Sequence, residues 1–161
     1  MPLGPLSLIP RSVMGIVKEV GRHILRRPVV GIAAAAHTED GRWLLIRRAD
    51  TGTWALPGGT LEWGETLRSG IARELEEEAG VTAAVFERIV GVYSRADRDP
   101  RFHAVTIVVA MRTTVPVQAP LNPLEIREVR LFREDELPSE MAMHMGDMLA
   151  AARRGGDAEL E

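Results

Sequence analysis

The chain has no cysteine. Disulfide staples, thiol redox chemistry and Cys-ligated zinc are therefore excluded, and a reducing compartment fits. Aromatic residues make up only 4%, too few for a platform on which single-stranded nucleic acid stacks. Charge of one sign is also lacking: 20 basic and 23 acidic residues leave a net charge of -3, without the basic field that grips nucleic acid. No apolar run approaches the ~20 residues that cross a bilayer. Residues 1–10 have no basic start, and Gly and Pro break their apolar stretch, so a secretory signal is not expected. What is there is a chain of 161 residues, 45% hydrophobic and 27% charged, ordinary for one globular domain. The expectation is a cytoplasmic protein with no membrane partner and no stable nucleic-acid partner.

Periodicity divides the chain into three parts. Within residues 1–25, Val13, Ile16, Val17, Val20 and Ile24 recur at spacings of three and four, which predicts an amphipathic helix with Ser12 as N-cap. Residues 26–152 alternate strand and helix signals. Residues 29–37 read as a buried strand, and Glu39-Asp40-Gly41 as the turn into a second strand over 43–46. A short strand is expected over 54–56, a helix over 65–79 ended by Gly80, and an extended segment over 81–93. A polar loop over 95–101 precedes strands over 104–111 and 128–132. A final helix over 139–152 carries Met141, Met145, Met148 and Leu149 on one side, a stripe suited to core packing. Residues 153–161 are Gly-rich and charged, the composition of a flexible tail. The pattern is that of an α+β domain.

The helix over 65–79 carries an electrostatic anomaly. At about 100° per residue, Glu77 and Glu78 fall within ~60° of Glu74 on either side. The apolar stripe of Ile71, Ala72, Leu75 and Ala79 lies just beside them. Like charges at these spacings repel by a few tenths of a kcal/mol per pair. Carboxylates in the last turns oppose the helix dipole, at about 0.3–1 kcal/mol each. A solvated charged face is the simplest account of an acidic run, but these penalties argue against it. A bound divalent cation removes both, and all-oxygen ligands point to Mg²⁺ or Mn²⁺.

The spacing Gly59, five residues, Glu65, seven residues, Arg73-Glu74-Leu75-Glu76-Glu77-Glu78-Ala79-Gly80-Val81 resembles the complete Nudix box. About nine specified positions over this span match by chance with a probability on the order of 10⁻⁹ per starting point. The preceding Trp54-Ala55-Leu56-Pro57-Gly58-Gly59 is similar to the family's approach to the box. The resemblance implies an α/β/α sandwich with a mixed central sheet and the box as loop-helix-loop. It implies metal-dependent hydrolysis of a nucleoside diphosphate linked to another moiety, ADP-ribose or a nucleotide sugar above all, by a protein that is commonly a dimer. Glu74, Glu77 and Glu78 would be metal ligands, the Gly59 carbonyl a backbone ligand, and Arg73 the holder of a carboxylate.

The remaining roles are looser. An acid outside the box, Glu128 in preference to Glu125, would serve as a fourth ligand or base. The segment from Tyr93 to His103 resembles one in the ADP-ribose pyrophosphatase-like branch. There Arg95, Arg98 and Arg101 would contact phosphates or a ribose, and Tyr93 or Phe102 would stack on a base, unless Asp97 and Asp99 pair with those arginines. Arg47 and Arg48 alternate along one strand, so only one can face the site. Two other readings compete: a nucleoside triphosphate pyrophosphatase of the sanitising type, and a non-catalytic Nudix-fold sensor or scaffold. The sensor would tend to lose box carboxylates, and none is lost.

Overall fold

Strand β1 (Val29–His37) is the spine of the molecule in the computed structural model, which describes residues 15–16, 19–21, 27–116 and 119–161. The helix expected over 12–25 lies mostly outside these; its described residues 15–16 and 19–21 are helical. Residues Ile32 to Ala36 of β1 are almost fully buried. That is why the strand reads as an unbroken apolar run and not as an alternation. β1 runs parallel to β6 (Ala104–Thr113) along its whole length, from Val29 against Ala104 to His37 against Arg112.

A hairpin turned at Gly41 leads from β1 into β2 (Trp43–Arg48). One edge of β2 pairs with β7 (Ile126–Phe132) and the other with β3 (Trp54–Ala55). β4 (Gly58–Thr60) then returns to β1 in antiparallel register, Gly58 opposite Ala33 and Gly59 opposite Ile32. β5 (Ala84–Tyr93) lies antiparallel to β6, with β8 (Glu159–Leu160) on its outer edge. Among the described residues this makes one mixed sheet in the order β3-β2-β1-β6-β5-β8, with β4 beside β1 and β7 beside β2.

Helices α1 (Leu67–Ala79) and α2 (Met145–Arg154) cover opposite faces of the sheet. β5 shows how. Its register shifts between Phe86 and Arg88, and a bulge of this kind turns side chains two apart onto different faces. Phe86 then meets Arg68 of α1, while Arg88 donates to the Ala151 and Ala152 carbonyls of α2. Ile71 and Leu75 of α1 and Met148 and Leu149 of α2 complete a single core. The fold is α+β, as expected.

α1 begins later than expected because Thr66 caps it: Thr66 Oγ1 accepts the Ser69 N–H and Ser69 Oγ accepts the Thr66 N–H. Gly80 closes the helix in the left-handed conformation, φ 65°, as expected. The final helix starts at Met145 rather than at residue 139. Met143 and His144 have positive φ, and Arg98 Nη1 bonds the His144 carbonyl at 3.1 Å, which holds the break. Two elements were not anticipated. β4 is a glycine-rich strand whose pairing is visible only in three dimensions, and β8 lies within the segment read as a flexible tail. Residues 159–161 instead run along β5, where the Glu161 N–H reaches the Val92 carbonyl at 3.0 Å. Among the described residues, no helix is long and apolar enough to cross a membrane.

Candidate active site

β4 and α1 bring the box together from its two ends. Gly58 and Gly59 lie on β4, and Glu74, Glu77 and Glu78 lie in the last two turns of α1. Glu78 accepts the Gly58 N–H at 2.7 Å. Glu74 lies against Gly59: a Cβ on Gly59 would overlap the Glu74 Oε1 and stand 2.9 Å from its Cδ. A glycine at 59 is thus a condition for seating Glu74 beside the β4 backbone. Gly59→Ala is expected to cost about 1–3 kcal/mol and to reduce turnover, measured by thermal melting and by activity.

Arg73 organises the acids. Its Nε and Nη2 hold the two oxygens of Glu65 at 2.8 and 3.1 Å. Nη1 reaches Glu74 at 2.9 Å and Glu77 at 3.4 Å, and Nη2 also donates to the Thr60 carbonyl at 3.3 Å. One planar fork thus ties the loop after β4 to the helix. Glu65 is held below its usual range, chiefly by the Arg73 hydrogen bond.

The three box carboxylates differ in exposure. Glu74 is 7% exposed, Glu78 is half-buried and Glu77 is exposed. Burial is the main cause of raised proton affinity at both Glu74 and Glu78. Glu78 is pushed up to about 8, with Glu74 and Glu125 adding repulsion and the Gly58 N–H and Arg48 opposing it. Glu74 and Glu77 turn toward Arg73 while Glu78 turns toward Gly58, and among the described residues no three acidic or histidine side chains form a metal cage. The donor set still fits a hard cation. It consists of oxygens only, two of its carboxylates are buried at a cost in charge, and Gly59 keeps the adjoining backbone clear of any side chain.

Outside the box the structure sorts the candidates. The Arg48 guanidinium is among the groups that oppose the rise at Glu78. It is braced by Asp50 through Nε and Nη2 at 3.0 and 2.6 Å. Arg47 donates to the Gly52 carbonyl and lies 5.9 Å over the Trp54 ring. Glu128 is exposed opposite Arg47, 3.6 Å from its Nη1. Glu125, the alternative to Glu128, is among the charges that raise the Glu78 carboxyl. The Leu121 N–H bonds the Glu77 carbonyl at 2.8 Å, and so fastens the loop preceding Glu125 to the end of α1.

The arginine-rich loop is largely paired within itself and with β8. Tyr93 is 3% exposed and bonds Glu159 through its hydroxyl at 3.0 Å, so its ring has no free face for a base; Arg98 lies 5.0 Å over it. Arg95 pairs with Asp97 at 3.2 Å. Arg101 forks onto Asp99 at 2.9 and 2.7 Å, and Arg98 onto Glu161. Glu161 was missed, and no periodicity or motif in residues 153–161 marks it.

The comparisons with known proteins agree with this geometry. Residues 25–152 match the NUDIX domain model, so the chain belongs to that family. It is 52% identical over 69 residues to a MutT-like protein of Streptomyces ambofaciens, covering 43% of this chain and 44% of that protein. It is 45% identical over 73 residues to the ADP-ribose pyrophosphatase of Methanocaldococcus jannaschii, covering 44% and 43%. The match thus spans less than half the length of each. Among solved structures, a MutT NUDIX hydrolase from Burkholderia pseudomallei superposes with a TM-score of 0.65 at 29% identity, covering 78% of this chain and 98% of that one.

Proposed function

We propose that this chain is a divalent-metal-dependent pyrophosphohydrolase. It would cleave a nucleoside diphosphate linked to another moiety, ADP-ribose or a nucleotide sugar, to a nucleoside monophosphate and a second phosphorylated product. The observation that carries the reading is the buried carboxylate pair Glu74 and Glu78, seated on Gly59 and Gly58 and organised by Arg73. The ADP-ribose pyrophosphatase relative supports the reaction class and the choice of ADP-ribose.

Glu74, Glu77, Glu78 and the Gly59 carbonyl would hold Mg²⁺ or Mn²⁺, which when bound screens phosphate charge and acidifies water. The chain's own residues supply the rest. Arg73 holds Glu74 in a single orientation through the fork it shares with Glu65. Glu125 is assigned as the outer acid that accepts a proton, because its charge is felt at Glu78 while Glu128 is engaged with Arg47. Arg48, whose charge bears on Glu78, is assigned to the substrate's phosphates. A cytoplasmic setting and a homodimeric assembly belong to the same proposal.

A substrate panel with product identification tests it. ADP-ribose with Mg²⁺ is expected to give AMP and ribose 5-phosphate. A deoxynucleoside triphosphate turned over faster, to the monophosphate and pyrophosphate, would favour the sanitising reading instead. Exhaustive chelation is expected to abolish turnover, and undiminished activity would contradict the metal assignment.

A further inference from the structure

Donors at the start of the 94–103 loop converge on one carboxylate that lies outside the box. The Glu161 side chain accepts the Ser94 and Arg95 N–H groups, each at 2.9 Å. It also accepts Arg98 Nε at 3.0 and 3.1 Å and Nη2 at 2.6 Å, and Arg95 Nε stands 3.5 Å away. Two successive backbone N–H groups beside an arginine fork form a concavity suited to oxyanions in general. The carboxyl in it is held down to about 2, chiefly by Arg98.

The cradle and its occupant are anchored very differently. Arg98 is 8% exposed and fixed from elements other than β8. It lies over the Tyr93 ring, donates Nη1 to the His144 carbonyl at 3.1 Å, and stands 3.4 Å from Asp147. The donors are thus preorganised without Glu161. By contrast, β8 is two residues long and pairs with β5 only at Gly91 and Val92. Leu160, its one apolar side chain, is 85% exposed and adds almost no burial. What holds residues 159–161 beyond those backbone pairs is charge and hydrogen bonding: Glu159 to Arg154 and the Tyr93 hydroxyl, and Glu161 to the cradle with a backbone bond from Ser94 Oγ. An occupant held this way at a sheet edge is open to exchange with a better anion. A phosphate group offers the same donors more acceptor oxygens and up to one more negative charge.

We propose that Ser94, Arg95 and Arg98 form an oxyanion site for a phosphate group, closed by Glu161 of the chain's own edge strand and opened when the ligand displaces it. The inference stands apart from the hydrolytic reading, because binding is measured without divalent metal and without turnover. The test titrates ¹⁵N-labelled protein in chelator with inorganic phosphate and, separately, with ribose 5-phosphate, and follows the Ser94 and Arg95 amides. Glu161→Ala is expected to bind at least tenfold more tightly than the wild type. Glu161→Gln, which keeps an acceptor oxygen but drops the charge, is expected to fall between and guards against misfolding of the alanine variant. Adding Arg98→Lys, which keeps a cation for the His144 carbonyl but loses the fork, is expected to reverse the gain. Tighter binding of inorganic phosphate would mark a site for the free ion, and tighter binding of ribose 5-phosphate a site for a phosphorylated sugar. No gain in either Glu161 variant, or a gain that survives Arg98→Lys, would overturn the proposal.

Discussion

Replacing Glu78 by glutamine is expected to stabilise the metal-free protein while reducing turnover by roughly two to four orders of magnitude. Glu78 is half-buried, and its carboxyl is pushed up to about 8, first by desolvation. Its affinity for the proton is therefore higher in the folded chain than in the unfolded one. The stability that accompanies the neutral form is fully present below the unfolded value of about 4.5 and is lost as pH rises toward 8. Ionising the group in the metal-free fold then costs on the order of 3–5 kcal/mol at pH 8. Glutamine avoids that cost and still offers an oxygen to the Gly58 N–H. Glu78→Gln in chelator should thus melt about 6–20 °C above the wild type at pH 8 and close to it at pH 5. Mg²⁺ should raise the melting temperature of the wild type and leave the variant nearly unmoved. Thermal melts at the two pH values, with and without Mg²⁺, read all of this.

Replacing Arg73 is expected to have the opposite sign on stability. Its guanidinium is the common partner of Glu65, Glu74 and Glu77 and also bonds the Thr60 carbonyl. Arg73→Ala leaves Glu74 buried with its nearest cation gone. Breaking one side of a buried pair costs about 3–5 kcal/mol, so the alanine variant should lose much of its stability. Arg73→Lys keeps the charge but not the fork. It should fold with about half that loss and with turnover reduced about 10²-fold, since Glu65 and Glu74 no longer share one rigid partner. Denaturant unfolding separates the stability cost from the catalytic one. Equal losses of turnover in the two variants at full folding would show that charge alone is not what matters.

How legible these features were in the amino-acid order depends on the range of the interaction that makes them. α1, its Gly80 terminator and the arc of acids beside an apolar stripe are local, so the wheel places the three carboxylates at the border of the buried face; which of them is buried most is set by β4 and Arg73. The capping pair Thr66 and Ser69 is also local but lacks the usual acidic third residue, so the helix start was misread by two positions. β4 and β8 come from backbone pairing between distant segments and leave no periodic trace. Glu128 and Glu125 were both candidates from a segment that resembles one leading into a late strand. The register shift between Arg47 and Arg48 and the Leu121–Glu77 bond, which place that segment against β2 and the end of α1, are tertiary facts. Tyr93, at the end of the expected extended segment, looked available for stacking, yet its ring is buried beneath Arg98. For the arginines of the 94–103 loop, contact with phosphates and pairing with Asp97 and Asp99 were both open; Arg95 and Arg101 take those neighbours, while Arg98 takes Glu161, which no local pattern marks.

The most direct measurement of the central claim is ADP-ribose turnover as a function of Mg²⁺ concentration, in the wild type and in Glu78→Gln, with both products identified. The account predicts AMP and ribose 5-phosphate from the wild type, a saturable dependence on Mg²⁺, and near-complete loss of both in the folded variant. Turnover that persists in Glu78→Gln, or that does not respond to Mg²⁺, would contradict it.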